Sequence, residues 1–393
     1  MRVAILSTMA GVPWGGSEEL WADAASEALD AGHEVALFLP RWPELPPRAA
    51  ALVARGARLH LRRRSYQLGA ERAVRRVVGR PVRLPHLPGS SAVRALATFA
   101  PDVVIVSEGT LYSFVHVRDV CEWLARSATP YVTVCQHLSD DYVPTDALRA
   151  RAGAVYSAAY RAAFVARSNV EAAERQIAST LANAIVVRNP VNLHDVRPVG
   201  AVRVAPGGPA RFASVARLDS RTKGQDLLFA ALGDPAWRDR EWRLDLFGAG
   251  PDGPYLRTLA AHYGIEHRVA FCGQVADVRA IWAEAELLVL ASRSEGTPLA
   301  LVEAMLCARP AVVTDIGGNA EWVTEGETGF VADAPTRRSL LAALERAWAA
   351  RNGWAAMGAR AHAVAAGQYD PHAGRTLLGV ALAAASGGRG APA

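Results

Sequence analysis

Residues 287–305 read LLVLASRSEGTPLALVEAM and contain the repeating unit of the fold. The apolar run from Leu287 to Leu290 predicts a buried strand, and a polar loop follows at its carboxyl end. Pro298 then fits the first turn of a helix, where a missing N–H is tolerated. A strand, a short polar loop and a helix in this order form half of a βαβ unit, which indicates a parallel sheet.

The same alternation of short apolar strands and longer amphipathic stretches extends over the chain in both directions from this unit. We predict strands at 3–6, 34–39, 102–106, 130–135 and 184–188 in the first half, and at 211–218, 243–247, 268–272, 287–291 and 310–314 in the second. Residues 189–210 between them are rich in proline and glycine and predict a linker. The prediction is an α/β protein with two Rossmann-like, doubly wound domains facing across a cleft, at 1–195 and 210–368, and a helix at 369–385 packing back on the first domain.

Two helix starts carry capping signals. Ser17 is predicted as the N-cap of a helix that ends before Gly32, with Glu18 and Glu19 suiting its positive end. Residues 168–171 read Ser-Asn-Val-Glu and predict a capping box.

Composition excludes several classes of protein. The 393 residues are 51% hydrophobic and 21% charged, which is typical of globular domains and not of disordered chains. The four cysteines are scattered and form neither a disulfide framework nor a metal-binding spacing. No apolar run approaches the roughly 20 residues of a membrane span. We predict a cytoplasmic protein with reduced cysteines and no resident cofactor or metal.

Arginine dominates the basic residues. Lys+Arg is 43, and Lys223 is the sole lysine. A net charge of +5 does not point to nucleic acid, and none is predicted as a partner. Residues 55–94 contain eleven arginines and one acid, Glu71. This segment is either a solvated face or a surface that contacts an anionic acceptor or a membrane.

Arg217 and Lys223 lie close together after a predicted strand, with Lys223 predicted at the start of a helix. Two cations near a helix start suit a diphosphate, because free backbone N–H groups there also bind anions. A surface Arg and Lys on a turn is the alternative. Glu295 is predicted in the loop after the strand at 287–291, where a ligand can reach it, and Glu303 within the helix. The alternative roles are a dipole-neutralising Glu295 and a solvated Glu303, although the apolar neighbours of Glu303 favour burial.

The first domain offers two further candidates. Gly15 and Gly16 follow the first strand and allow a backbone to approach a ligand closely. Gln136 and His137 follow the strand at 130–135, at an edge that faces the cleft.

Together these motifs resemble the retaining, nucleotide-sugar-dependent glycosyltransferases of group 1, which have the two-domain GT-B architecture. The resemblance covers nearly the whole chain. Its motifs are Gly-Gly-x-Glu at 15–18, the pair Arg217 and Lys223, Glu-x7-Glu at Glu295 and Glu303, and the glycine motifs at 317–318 and 326–330.

The resemblance implies a role for each residue. Arg217 and Lys223 would bind the donor diphosphate, and Glu303 the ribose hydroxyls. Glu295 and the backbone of Gly296, Thr297, Pro298 and Leu299 would bind the hexose and phosphates, and Gly16 would approach the diphosphate from the opposite domain. His137, with Gln136 as the alternative, would touch the donor sugar. The implied reaction moves a hexose from a nucleoside-diphosphate sugar to an acceptor hydroxyl without a metal, in keeping with the lack of an Asp-x-Asp motif.

Other functions fit the sequence less well. Residues 248–253 match the Gly-x-Gly-x-x-Gly fingerprint of dehydrogenases, but two prolines crowd that turn and the next strand lacks a ribose-binding acid. A sugar-nucleotide epimerase or hydrolase on the same fold is the nearer alternative. A sugar-binding module without activity is opposed by the intact set of Arg217, Lys223, Glu295 and Glu303.

Overall fold

The computed structural model describes residues 1–9, 11–62, 91–200 and 208–387. Most of the arginine-rich segment at 55–94, part of the linker and the last six residues lie outside these ranges. The strands, in chain order, are β1 (Arg2–Ser7), β2 (Glu34–Pro40), β3 (Arg58–Arg62), β4 (Val103–Glu108), β5 (Tyr131–Cys135), β6 (Arg161–Phe164), β7 (Ala184–Val186), β8 (Ala210–Val215), β9 (Trp242–Phe247), β10 (Val269–Gly273), β11 (Leu287–Leu290), β12 (Ala311–Thr314) and β13 (Gly329–Ala332).

The described α-helices are α1 (Gly16–Asp30), α2 (Pro47–Ala54), α3 (Ser91–Phe99), α4 (Arg118–Ser127), α5 (Asp146–Ala158), α6 (Arg167–Ile177), α7 (Ser220–Lys223), α8 (Gln225–Leu232), α9 (Gly253–His262), α10 (Val278–Glu284), α11 (Leu299–Leu306), α12 (Asn319–Trp322), α13 (Arg337–Ala349), α14 (Trp354–Gln368) and α15 (Ala373–Ala385).

Both sheets are parallel and doubly wound. The first has the strand order β3-β2-β1-β4-β5-β6-β7, and the second has the order β10-β9-β8-β11-β12-β13. Apolar clusters cover the two faces of each sheet, and the central strands are buried on both sides. Burial on both faces explains the nearly continuous apolar runs in the sequence. The predicted fold class is therefore confirmed.

The C-terminal helix α15 crosses back to the first domain. It packs along α1, and its Leu377 and Ala381 join the same core cluster as Leu20 and Trp21. A Cβ on Gly374 would lie 2.5 Å from the Cβ of Asp23, so the absence of a side chain there permits the close approach of the two helices.

The linker is fastened to the second domain. Arg309 is buried, and its guanidinium donates to the carbonyls of Trp282 (2.7 Å) and Gly200 (2.7 Å). The backbone N–H of Asn192 donates to Glu303 Oε1 at 3.1 Å. The described part of the linker therefore belongs structurally to the second domain.

Both capping predictions are wrong. Helix α1 begins at Gly16 with Gly15 as its N-cap, and Ser17 lies inside the helix. Helix α6 begins at Arg167 after Ala166, and no side chain of its own segment caps it. We predicted Pro298 in the first turn of its helix. It is instead the N-cap of α11, one residue before the helix begins at Leu299. Gly32, in contrast, has φ +75°, as expected for the position after a helix end.

Candidate active site

Glu295 lies at the centre of the candidate site. The loop between β11 and α11 carries it, and its side chain is buried, with only 4% of the residue exposed. Its Oε1 accepts hydrogen bonds from Lys223 Nζ at 2.6 Å and from Ser292 Oγ at 2.7 Å. A buried carboxylate needs such partners to offset its lost hydration.

Gly224 explains how Lys223 reaches Glu295. Lys223 is the last residue of the single turn α7, not the first residue of a helix as predicted. The next residue, Gly224, has φ +64°, and a Cβ there would lie 1.9 Å from the carbonyl oxygen of Ala291 at the end of β11. Only glycine tolerates both that conformation and that contact. Gly224 therefore allows α7, which carries Lys223, to pack against the end of β11, the strand that precedes Glu295.

Arg217 supplies a second cation beside the cleft. It follows β8, which ends at Val215, three residues earlier than predicted. Its Nη2 donates to Asp219 Oδ2 at 2.7 Å, and its side chain remains 38% exposed. A Cβ on Gly11 of the first domain would lie 3.7 Å from Nη1, so the guanidinium faces the loop after β1.

The first domain brings His137 to the same cluster. Burial lowers the pKa of His137, and the positive charge of Lys223 lowers it further. The Glu295 carboxylate and a hydrogen bond with the backbone of Ser294 raise this pKa, but they do not offset the lowering. Leu138 forms an antiparallel bridge with Glu295, and its carbonyl accepts from Ser294 Oγ at 3.0 Å. A neutral imidazole is thus held beside an ion pair from the opposite domain.

Gln136 has other partners than this cluster. Its Oε1 accepts from Asn189 Nδ2 at 2.8 Å, at the start of the linker. The sequence left open whether His137 or Gln136 lies beside Lys223 and Glu295. The structure places His137 there.

The two domains are in close contact at glycine positions. A Cβ on Gly296 would lie 2.1 Å from the carbonyl oxygen of Gln136, and one on Gly16 would lie 2.9 Å from Leu299 Cδ1. Helices α1 and α11 thus both begin at the cleft, at Gly16 and Leu299. Their free N–H groups and positive dipole ends favour an anion at this position.

The side chains of two residues with predicted roles contact the first domain and the linker. Thr297 Oγ1 donates to the carbonyl of Val165 at 3.0 Å, across the domain boundary. Glu303 is 3% exposed, and burial raises its pKa to about 7. The hydrogen bonds with Asn192 lower this pKa, but their effect is smaller than that of burial. Glu303 therefore contacts the linker, not the cluster of Lys223, Glu295 and His137.

Residues 209–350 match the family model described as glycosyl transferases group 1. This matched stretch, which lies in the second domain, is a group 1 glycosyl transferase domain.

Several curated relatives align with this chain, each over part of its length. N-acetyl-alpha-D-glucosaminyl L-malate synthase of Bacillus anthracis is 35% identical over 23% of this chain and 24% of its own length. D-inositol 3-phosphate glycosyltransferase of Nocardia farcinica is 32% identical over 44% of this chain and 40% of its own. A GDP-mannose-dependent phosphatidylinositol monomannoside mannosyltransferase of Mycolicibacterium smegmatis is 28% identical over 38% and 46%. The chain therefore matches less than half of the length of each relative.

Solved structures match the whole chain and show its fold. HepE of Anabaena in complex with UDP superposes with a TM-score of 0.70 at 19% identity, over 98% of this chain and 100% of that one. Sucrose-phosphate synthase of Thermosynechococcus elongatus superposes with a TM-score of 0.69 at 19% identity, over 96% and 97%. The two parallel sheets and these neighbours establish the GT-B architecture.

The sequence did not reveal several polar residues that contact the loop of Glu295. Ser292, Ser294 and Asn169 all bond to the Glu295 loop or hold it against the first domain. Single serines and asparagines carry no periodic signal, and their role depends on contacts between distant segments. Within the ranges that the structure describes, no three His, Cys, Asp or Glu side chains form a group able to hold a metal ion.

No described helix has both the length and the apolar character needed to cross a membrane. The arginine-rich segment, on which the predicted membrane or anionic contact depends, lies mostly outside the described residues. That contact stays a prediction.

Proposed function

We propose that this protein is a hexosyltransferase that moves a hexose from a nucleoside-diphosphate sugar to an acceptor hydroxyl. The observation that carries the proposal is the meeting of Lys223, Glu295 and His137 beside the starts of two helices. The group 1 domain and the UDP in the HepE complexes support a nucleotide donor. The donor is a substrate, and the proposal includes no resident cofactor.

In this proposal the cationic groups stabilise the leaving diphosphate. Lys223 and Arg217 each offer a charge-assisted hydrogen bond of roughly 1.5–3 kcal/mol. The helix starts at Gly16 and Leu299 each add about 0.3–1 kcal/mol. Both effects grow as negative charge develops on the departing oxygen, which is the condition for catalysis. These groups take the place that a divalent metal has in other transferases, so we propose a metal-independent reaction.

Glu295 and His137 are proposed to hold the hexose. The buried Glu295 carboxylate accepts hydrogen bonds from sugar hydroxyls in addition to Lys223, and the neutral imidazole of His137 contacts the same ring from the opposite domain. Retention of anomeric configuration is proposed from the resemblance to retaining group 1 enzymes. The reaction is proposed to take place in the cytoplasm, where nucleotide sugars are substrates of soluble or membrane-peripheral enzymes.

A donor and acceptor screen tests the proposal. The chain is incubated with UDP- and GDP-hexoses, and nucleoside diphosphate release is measured with and without hydroxylated acceptors. Slow release that an acceptor accelerates supports transfer, and proton NMR of the product then reports the anomeric configuration. A changed sugar still attached to its nucleotide would show epimerisation, and release that no acceptor accelerates would show hydrolysis. Full activity in excess EDTA is expected, and loss of activity there would contradict the metal-independent part.

A further inference from the structure

Helix α6 of the first domain is capped by a residue of the second domain. The backbone N–H of Ser168, in its first turn, donates to Glu321 Oε1 at 2.9 Å, and Ser168 Oγ lies 3.1 Å from the same oxygen. Ser168 Oγ also donates to the carbonyl of Gly317 at 2.6 Å. The N-terminal N–H groups of a helix need acceptors, and a carboxylate there also benefits from the helix dipole. Glu321 meets this need across the domain boundary.

Arg188 holds the other oxygen of the same carboxylate. Its Nη1 donates to Glu321 Oε2 at 3.0 Å, and its guanidinium lies 5.1 Å from the centre of the Trp322 ring. The two charged side chains are only 22% and 21% exposed, so solvent screens this pair less than the exposed ion pairs of the surface. Both oxygens of Glu321 are thus bound by the first domain. We name Glu321, Ser168 and Arg188 the interdomain clamp.

The interdomain clamp leads directly to the Glu295 loop. The N–H of Gly318 donates to the carbonyl of Gly296 at 2.6 Å. A Cβ on Gly317, which has φ +57°, would lie 2.5 Å from the carbonyl oxygen of Glu295, so this contact leaves no room for a side chain. Asn169, next to Ser168, also donates to the carbonyl of Glu295 at 3.4 Å. A shift of Glu321 relative to α6 would therefore change how Glu295 meets His137.

We propose that Glu321 is a positioning residue that fixes the two domains in the arrangement needed for transfer. This inference rests on the proposed function for its kinetic effect, but its structural effect does not depend on activity. Glu321 does not touch the cluster of Lys223, Glu295 and His137. It acts through Ser168 and Arg188 on one side and through the Gly317 loop on the other.

The test compares Glu321→Ala with Glu325→Ala. Glu325 pairs with Arg346 and accepts from the N–H of Val331, all within the second domain, so it is a matched control. We expect Glu321→Ala to lower kcat at least tenfold, while the dissociation constant for UDP or GDP, measured by calorimetry, changes less than twofold. The control should retain kcat within about twofold of wild type. Small-angle X-ray scattering of the ligand-free chain should show a larger radius of gyration for Glu321→Ala alone.

A double substitution separates the interdomain clamp from a general loss of stability. Ser168→Ala should lower kcat, because it removes the hydroxyl contacts to Glu321 and to the Gly317 carbonyl. The effects of Ser168→Ala and Glu321→Ala should be less than additive in the double variant, because both remove the contact between this hydroxyl and Glu321. If Glu321→Ala does not fold, Ser168→Ala supplies the same comparison. Unchanged scattering together with unchanged kcat would overturn the proposal. A wild-type chain that turns over no nucleotide sugar would refute the proposed function, whereas the scattering result would still decide the interdomain clamp.

Discussion

At the scale of residues, the proposed chemistry depends on a single ion pair between Lys223 and Glu295. In a chain that uses arginine almost everywhere, lysine stands at the position where a compact, strongly hydrated point charge reaches a buried carboxylate. Arginine presents a larger planar fork, which suits bidentate partners and not the single oxygen that Lys223 contacts. The pair is a preformed site in which an incoming phosphate oxygen would share the ammonium with Glu295.

Lys223→Ala should lower donor turnover at least tenfold with the fold intact, because it removes a contact to the leaving group. The matched control is Arg221→Ala, which removes an exposed cation from the same helical turn. Initial rates of nucleoside diphosphate release compare the two variants, and circular dichroism checks their folding. Near-normal rates for Lys223→Ala would refute the assignment.

Glu303→Gln tests whether the second glutamate binds the ribose. We expect weaker binding of UDP or GDP by at least fivefold, measured by calorimetry, because a neutral amide is a poorer acceptor for two hydroxyl groups. The contact of Glu303 with Asn192 gives the change a second consequence, a loosened linker. An unchanged dissociation constant would show that Glu303 serves the linker alone.

The helices and strands were predicted well where a local apolar pattern determines them. They were predicted poorly where contacts between residues far apart in the sequence determine them. The central strands were found with their ends within three residues, because burial on both faces leaves a continuous apolar run. Strands β3, β6 and β13 were missed; β3, Arg58–Arg62, has an arginine at each end and no fully buried residue, so it resembles a surface segment. The capping box at Ser168 was wrong because the acceptor is Glu321, 153 residues away, which no local pattern reveals.

The turn between α7 and α8 gives a prediction at the scale of elements. Gly224→Ala combines a left-handed φ with a backbone clash, whereas Gly264→Ala has φ +66° and no atom within 4 Å of the new Cβ. We expect Gly264→Ala to cost about 1–2 kcal/mol of unfolding free energy. Gly224→Ala should cost about 1–3 kcal/mol more and displace Lys223, so its turnover should fall at least tenfold. Urea unfolding and initial rates give both quantities. Equal stability of the two variants would contradict the role assigned to the Ala291 contact.

At the scale of the whole molecule, two domains with separate cores depend on a few polar contacts and one returning helix for their relative position. Helix α15 ties the end of the chain to α1, and the linker is fastened to the second domain by Arg309. The interdomain clamp and the glycine contacts at Gly16 and Gly296 join the two domains at the cleft. The sequence indicates the two-domain plan, but the residues that join the domains act singly and carry no periodic signal.

Three buried carboxyl groups give the folded chain an unusual dependence on pH. Burial raises the pKa of Glu18 to about 7, of Glu108 to about 8 and of Glu303 to about 7. The unfolded chain ionises its glutamates near pH 4.5, so between that pH and 8 the folded state binds more protons than the unfolded state. Stability must therefore fall as the pH rises through this range. Burial lowers the pKa of His60, His116 and His137, which opposes the trend below pH 6.5 but not above it.

The clearest window is thus pH 6.5 to 8.5, where we expect the unfolding free energy to fall by about 3–4 kcal/mol. Glu108 should supply about half of this fall. Its Oε2 accepts from the N–H of Phe114 at 3.0 Å and from the hydroxyl of Tyr156 at 3.1 Å, and a glutamine oxygen can accept both bonds without ionising. Glu108→Gln should therefore reduce the fall to about half, roughly 2 kcal/mol. Glu122 is an exposed glutamate of α4, and Glu122→Gln should leave the fall unchanged. Urea unfolding at four pH values measures the slopes, and equal slopes for wild type and Glu108→Gln would show that Glu108 is ionised in the folded chain.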